Sequence, residues 1–252
     1  MQTSGSMSSS FADLDKYIHG LDKSDLILLA GRPGMGTTSF ALNIAVGAAK
    51  IHSDKAIVII SLESTKAQIA SRILAAESSA NIDKLDNDED YETVIAAAER
   101  LSKLQIYVDE SLKSVSDMQS DLCEIENLGL VIVDYVELIA GFDFDCVRIS
   151  EMLREMACSL GVPVIAVAKL PHSVETREDK RPLISDVYKL DPESVFYDVV
   201  LCLYRESYYN RQLKQPYLAE CIVAKNRQSE IGTIYLHWNA EHTKFSSLSA
   251  EF

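Results

Sequence analysis

The residues best suited to chemistry form a glycine-rich turn between an apolar run at residues 26–30 and a segment of helical character. The turn comprises Gly31, Arg32, Pro33, Gly34, Met35, Gly36, Thr37 and Thr38. Glycines at this spacing let backbone N–H groups converge on phosphate oxygens, and the N-terminus of the following helix adds partial positive charge. The sequence therefore predicts a phosphate-binding P-loop in which the Thr38 hydroxyl ligates Mg²⁺.

One position of this motif departs from the P-loop pattern. Thr37 stands where the pattern has a lysine that contacts the β- and γ-phosphates. On the motif alone, an ordinary glycine turn between a strand and a helix stays open. Lys169 and Lys225 are two candidates for supplying the missing positive charge, and the sequence does not choose between them.

Two carboxylates follow other apolar runs that read as buried strands. Asp134 ends the run at residues 130–134, and Glu63 ends the run at residues 56–63. In P-loop enzymes one such carboxylate assists Mg²⁺ and a second can activate the attacking water. We assign these roles to Asp134 and Glu63 respectively, although Asp134 beginning a turn and Glu63 capping the next helix stay open.

The elements that must position these residues alternate between strands and helices. Strands are predicted at residues 26–30, 56–63, 105–109, 130–134, 162–168 and 198–204, and helices at 11–18, 37–50, 64–77, 91–101, 115–127 and 148–160. This alternation predicts an α/β fold with a doubly wound, mostly parallel sheet, in which ligands bind at the carboxyl ends of the strands. Residues 219–225 and 232–238 indicate antiparallel strands at one edge. We expect residues 1–10 to be a flexible tail or linker remnant and residues 11–252 to form one domain.

Composition limits the classes of function. The 252 residues carry a formal net charge of −14, which argues against broad nucleic-acid binding unless lysine and arginine are segregated. No apolar stretch approaches the roughly 20 residues of a membrane span, and the N-terminus lacks the pattern of a signal peptide. The five cysteines are scattered, as expected for reduced residues in a cytoplasmic protein.

Six segments, taken together and in this order, carry a resemblance to a known family. They are residues 11–16, 31–36, 61–63, 133–138, 179–186 and 222–227. This set resembles the C-terminal RecA-like motor domain of DnaB-type replicative DNA helicases, from residue 11 to about residue 248. The resemblance implies a RecA-like fold and a hexameric ring that hydrolyses ATP between subunits, with Mg²⁺, while it moves along single-stranded DNA.

The resemblance also implies roles for individual residues. Glu63 corresponds to the catalytic base, and Thr38 and Asp134 correspond to the Mg²⁺ site. Lys225 and Arg227 match the family's lysine and arginine finger, which reach the γ-phosphate bound by the neighbouring subunit. From the residues alone, a surface strand remains an alternative for that pair. Residues 205–209 resemble the family's tyrosine-rich stretch, for which a place near the nucleotide base and simple packing both stay open.

Departures from the family pattern fall on positions that face phosphate or DNA. Besides Thr37, they include Glu137 where the family has glutamine, Lys169 in its Ser-Gln-Leu motif, and a short acidic loop at residues 142–146. We therefore expect a DnaB-type helicase motor with impaired ATP hydrolysis and weak binding to single-stranded DNA. The alternative is a catalytically inactive relative that is a regulatory or structural partner of a helicase ring. In either case we expect a ring with itself or a related subunit, and no membrane association.

Overall fold

The computed structural model describes residues 6–80, 88–140, 145–188, 192, 195–210 and 212–248. The helices are α1 Ala12–Ile18, α2 Thr37–Ile51, α3 Lys66–Ser78, α4 Asp88–Leu101, α5 Val115–Cys123, α6 Cys146–Leu160 and α7 Glu206–Tyr209. The strands are β1 Leu26–Gly31, β2 Ala56–Ser61, β3 Ile106–Asp109, β4 Leu128–Asp134, β5 Val164–Lys169, β6 Val199–Tyr204, β7 Leu218–Asn226, β8 Gly232–Asn239 and β9 Lys244–Ser247. No helix within the described ranges has both the length and the apolar character needed to cross a membrane.

Within the described ranges, nine strands form one sheet in the order β3-β2-β4-β5-β1-β6-β7-β8-β9. The strands from β3 to β6 in that order are parallel, and β7, β8 and β9 extend the sheet with antiparallel pairs. The predicted α/β fold, mostly parallel with antiparallel strands at one edge, is confirmed. Since β1 lies between β5 and β6, its carboxyl end is flanked by the ends of both.

The sheet is covered on both faces, which explains why its central strands are almost entirely apolar. On β1, Ile27 and Leu29 belong to the core shared with α2, whereas Leu26, Leu28 and Ala30 belong to the core shared with α5 and α6. A strand buried on both faces has no polar side of its own, as is typical of parallel sheets. Polar groups of this part of the sheet are thus concentrated at the strand ends.

Apart from shifted element ends, such as α5 ending at Cys123, and the one-turn helix α7, two regions differ from the prediction. Residues 6–10 pack onto the domain, whereas the sequence predicted a tail as far as Ser10: Met7 pairs with Leu21 in a β-bridge, and Ser9 is fully buried. The strand β9 was not predicted, because its four residues contain a single large apolar side chain, Phe245. That side chain is buried against α2, so a tertiary contact rather than a local pattern accounts for the strand.

Phe40 on α2 packs against Phe11, which precedes α1, and against Phe245 of β9. Its ring is fully buried, 4.9 Å from the ring of Phe11 and 5.3 Å from that of Phe245. We expect Phe40→Ala to lower the free energy of unfolding by about 3–5 kcal/mol, because it removes a buried ring and leaves a cavity. Urea unfolding followed by circular dichroism measures this change. The matched control is Tyr91→Ala, at an exposed position of α4, which should change stability little; equal effects of the two substitutions would contradict the packing described.

Candidate functional site: a phosphate-binding loop at the carboxyl end of the sheet

The glycine-rich turn connects β1 to α2 in the conformation that a phosphate cradle requires. Gly34 and Gly36 have φ angles of 85° and 93°, in the left-handed region that favours glycine. Gly36 is the N-cap of α2 and has no side chain with which to cap it. The first backbone N–H groups of a 15-residue helix are thereby left to bind a ligand, and they carry the positive end of its dipole.

The outer surface of the turn is held by residues that follow the carboxyl end of β6. Arg205 donates from Nε to the carbonyl oxygen of Met35 at 3.1 Å and from Nη2 to that of Gly34, and its guanidinium lies 4.7 Å from the Trp238 ring. Burial lowers the pKa of Arg205. A Cβ on Gly34 would lie 2.6 Å from the ring of Tyr208. This stretch packs on the P-loop, and its place near the nucleotide base stays a prediction.

Arg32 was predicted as part of the cradle, but its side chain points to the loop after β5. Its Nε lies 3.1 Å from Glu175 Oε1, and its Nη1 donates to the carbonyl oxygen of Leu170 at 2.6 Å. The contact with Arg32 lowers the pKa of Glu175. The charge of Arg32 is therefore engaged beside the loop, where it anchors the turn to the neighbouring strand.

Thr38 and Asp134 meet as the predicted Mg²⁺ site requires. Thr38 Oγ1 lies 3.1 Å from each carboxylate oxygen of Asp134, the last residue of β4, which is only 1% exposed. Burial raises the pKa of Asp134 to about 7, against the opposing effect of the Thr38 hydrogen bond. A hydroxyl and a carboxylate in contact beside a phosphate cradle are the oxygen ligands that Mg²⁺ prefers, so these residues fit the metal.

Thr37 makes a neutral contact where the P-loop pattern has a cation. Its Oγ1 lies 3.0 Å from the hydroxyl of Tyr135, which also accepts a 3.1 Å hydrogen bond from Thr38. The peptide bond between Asp134 and Tyr135 is cis. Burial raises the pKa of Tyr135 above its ordinary value. The position therefore offers hydroxyl groups, and no positive charge, to a phosphate.

Glu63 lies in the turn between β2 and α3, and it is not the cap of that helix. Thr65 is the N-cap, accepting a hydrogen bond from the backbone of Gln68. Glu63 Oε1 instead accepts a 2.7 Å hydrogen bond from Lys169 Nζ. Although burial acts to lower it, the contact with Glu63 raises the pKa of Lys169. The alternative of a helix cap is thus excluded for Glu63, and a lysine that the sequence left undecided is brought to the site.

Glu137 points its carboxyl group toward the backbone of β5. Its Oε1 accepts from the Lys169 backbone N–H at 2.5 Å, and its Oε2 is buried without a hydrogen-bond partner. Burial raises the pKa of Glu137, which favours the neutral acid. A carboxylate at this position would repel a bound phosphate, and turning the carboxyl group toward the β5 backbone reduces that repulsion.

Lys225 and Arg227 lie beside the amino end of β6, whereas the P-loop lies at the carboxyl ends of the parallel strands. Lys225 pairs in register with Val200, near the start of β6, whereas Gly31 pairs with Leu203, near its end. Lys225 Nζ donates to the carbonyl oxygen of Tyr197. The structure thus brings together Gly31 to Thr38, Glu63 and Asp134, and separates Lys225 and Arg227 from them within the same chain.

Asp198, just before β6, holds Arg227 at the amino end of that strand. Its Oδ1 accepts from Arg227 Nη1 at 3.0 Å, and its Oδ2 accepts from the Leu26 backbone N–H at 3.0 Å and pairs with Arg154. The Arg227 side chain is 67% exposed, whereas that of Asp198 is 3% exposed. An anchored but exposed guanidinium can reach a group outside its own chain.

Residues 142–144 of the predicted acidic loop lie outside the described residues; Asp145, after them, caps α6.

Asp25 adjoins this cluster, and the pKa of its carboxyl group is strongly raised, as is that of Asp134. Burial, followed by the negative charges of Asp198 and Asp22, raises the pKa of Asp25 to about 7, against the opposing charges of Arg154 and Arg227. Because the folded state then holds a proton that the unfolded chain releases near pH 4, the stability falls as the pH rises from about 4 to 7.

We expect Asp25→Asn to remove this part of the pH dependence, which has a slope of at most about 1.4 kcal/mol per pH unit. The free energy of unfolding of the variant should exceed that of the native protein at pH 8, and the difference between the two proteins should be smaller at pH 5. Urea unfolding at both pH values provides the measurement. Asp54→Asn, at an exposed turn, is the control, and an equal flattening in this control would show that Asp25 is not responsible.

Comparison with known proteins shows the family and the fold of this chain. The family model for the DnaB-like helicase C terminal domain matches residues 6–247. The replicative DNA helicase DnaB of Geobacillus stearothermophilus is 36% identical over 257 residues, which cover 96% of this chain and 56% of that protein. The replicative DNA helicase DnaC of Bacillus subtilis is 35% identical with the same coverage. The chain thus spans a little over half the length of these relatives.

Solved structures show the same fold at similar levels of identity. A DnaB-like replicative helicase, solved in a study of its interactions with primase, superimposes with a TM-score of 0.89 at 29% identity, covering 97% of this chain and 62% of that one. A second solved structure, described as an ATPase domain, superimposes with a TM-score of 0.89 at 28% identity, covering 98% of this chain and 94% of that one. This chain therefore belongs to the DnaB-like helicase C-terminal domain family and has its RecA-like fold.

Proposed function

We propose that this domain binds ATP with Mg²⁺ in a helicase-type ring and hydrolyses it slowly. The observation that carries the proposal is the buried contact of Thr38 with Asp134 beside a P-loop in which Thr37 offers no positive charge. Mg²⁺ would neutralise phosphate charge when bound. Thr38 and Asp134 would hold the metal, and the N–H groups at the start of α2 would hold the phosphates.

The remaining steps are divided between two subunits. Glu63 is near enough to the proposed Mg²⁺ ligands, Thr38 and Asp134, for its charge to act on Asp134. In this proposal Glu63 orients and deprotonates the attacking water. Lys225 and Arg227 serve the P-loop of a neighbouring subunit, since they lie at the amino end of β6, away from their own P-loop. A guanidinium there stabilises the charge that develops on the transferred phosphoryl group.

The test is ATP turnover of the purified protein, with and without single-stranded DNA. Losing one fixed cation aimed at the developing charge costs on the order of 3 kcal/mol, or about a hundredfold in rate. We expect binding of ATP·Mg²⁺ together with turnover well below the ~1–100 s⁻¹ of ordinary phosphoryl-transfer enzymes. Turnover inside that range would refute slow hydrolysis, and absence of nucleotide binding would refute the proposal as a whole.

A second candidate function is that of a partner in a mixed ring with an active helicase. Arg227 favours it, because an exposed finger can complete a neighbour's site even where the chain's own P-loop is deficient. Light scattering of the protein alone and in mixtures separates the two candidates. A monomer under every nucleotide condition, with no effect on the helicase's turnover, would exclude the mixed ring.

We also expect weak binding to single-stranded DNA. Neutralising DNA phosphates requires clustered lysine and arginine, whereas this chain has a net charge of −14 and an exposed Asp145 after its shortened loop. Fluorescence anisotropy near physiological salt should give a dissociation constant of about a micromolar or weaker. A helicase relative measured in the same buffer is the positive control, and submicromolar binding with a steep salt dependence would contradict the expectation.

A further inference from the structure

Lys169 is the lysine that the sheet brings to the P-loop. It is the last residue of β5, and it pairs in register with Gly31, the first residue of the glycine-rich turn. Lys225, the other candidate for the missing charge, lies beside the amino end of β6, at the far end of the strands from the P-loop. The order of the strands thus separates two lysines that were equivalent in the sequence.

The ammonium group of Lys169 contacts Glu63 and Tyr135, and Tyr135 in turn contacts Thr37, which stands at the position of the P-loop lysine. It lies 2.7 Å from Glu63 Oε1 and 4.3 Å from the centre of the Tyr135 ring. The hydroxyl of the same tyrosine contacts Thr37 at 3.0 Å. With 34% of its side chain exposed, Lys169 is neither enclosed nor fully solvated, and its four-carbon stem can change partner.

Other cations near the loop already have structural partners. Arg32 pairs with Glu175 and with the Leu170 carbonyl oxygen, and Arg205 donates to the P-loop carbonyl oxygens. Burial raises the pKa of Asp134, and Arg72 on α3 is near enough for its positive charge to oppose that rise. Arg72 is therefore the rival that a test must include.

We propose that Lys169 replaces the P-loop lysine in nucleotide binding, by moving from Glu63 to the γ-phosphate when ATP enters. The exchange trades one anionic partner for another and breaks no covalent bond. It makes binding selective for ATP over ADP, since ADP has no γ-phosphate to compete with Glu63. It also releases the Glu63 carboxylate from its ion pair. The inference rests on the proposed function, and it concerns binding rather than the rate of hydrolysis.

The experiment measures affinities of the whole chain for fluorescent ATP and ADP analogues with Mg²⁺, so its readout does not depend on turnover. We expect Lys169→Gln to weaken ATP binding about tenfold or more and to change ADP binding little. Lys169→Arg keeps the cation and should keep the preference for ATP. If Lys169→Gln loses affinity for both nucleotides equally, or for neither, the inference is wrong.

Arg72→Gln is the matched control, and it should leave the ATP preference unchanged. Loss of that preference in Arg72→Gln with retention in Lys169→Gln would assign the role to Arg72 and overturn the inference. Thermal unfolding of each variant checks the fold. Loss of the ATP preference in Lys169→Gln but not in Lys169→Arg identifies the charge as the cause.

A double-mutant cycle with Thr37→Lys provides an independent test. If both lysines serve one phosphate, Thr37→Lys should improve ATP affinity more in the Lys169→Gln background than in the native chain. Additive effects would contradict the shared role. A native chain that binds neither nucleotide would refute the proposed function itself, whereas binding of ATP and ADP without a preference would refute only the inference.

Discussion

Replacing Thr37 with lysine is expected to raise ATP turnover about hundredfold, the largest gain from any single substitution at this site. The new ammonium would follow Gly36 directly, where it can stay on the β- and γ-phosphates throughout the reaction. Lys169 reaches the site from β5 and is paired with Glu63, so it does not provide that fixed position. Steady-state ATP hydrolysis at saturating Mg²⁺ measures the effect.

The matched control is Thr37→Met, which adds a long side chain without charge. Both variants lose the 3.0 Å contact of Thr37 with Tyr135, so any difference between them reports the ammonium. If the two variants have equal turnover, the absence of a P-loop cation does not limit hydrolysis.

Replacing Arg227 with alanine is expected to lower ATP turnover at interfaces with a neighbouring subunit by on the order of a thousandfold. The readout is the turnover of mixed rings formed with an active helicase relative, as the fraction of this protein is increased. The fold should be retained, because the Arg227 side chain is 67% exposed, and Asp198 keeps its contacts with Arg154 and the Leu26 backbone. Nucleotide binding by the isolated chain should be unchanged.

Arg100→Ala, on the exposed side of α4, is the control for the loss of a surface arginine. Mixed-ring turnover that responds equally to both substitutions, or to neither, would contradict an arginine finger at Arg227. A drop in the stability of Arg227→Ala as large as that expected for Phe40→Ala would instead indicate a structural role.

Much of the candidate site could be predicted because its parts are local. The apolar run of β1 followed by Gly31 to Thr38 specifies a strand, a turn and a helix within one short segment, and the φ angles of 85° and 93° at Gly34 and Gly36 show why glycine is needed there. Asp134 ends an equally apolar strand. Since parallel strands have their carboxyl ends on the same side of the sheet, the contact of Asp134 with Thr38 follows from the α/β pattern.

Other contacts depend on which strands are neighbours, and local patterns do not specify that order. Glu63 and Lys169 are 106 positions apart and meet because β2 and β5 both flank β4. Arg205 contacts the P-loop from 170 positions away, because β6 lies beside β1. The short strand β9 exists through the packing of Phe245 on α2 and Phe40.

The sequence by itself determined the strand-and-helix alternation, the P-loop and its missing lysine, because each depends on residues that are close together along the chain. Only the tertiary structure decided that Lys169 joins the site and that Lys225 and Arg227 face away from it. The physical reason is that a side chain's partners are set by strand order and by the direction of each strand. β7 runs antiparallel to β6, so its last residues lie beside the amino end of β6, away from the P-loop at the carboxyl ends.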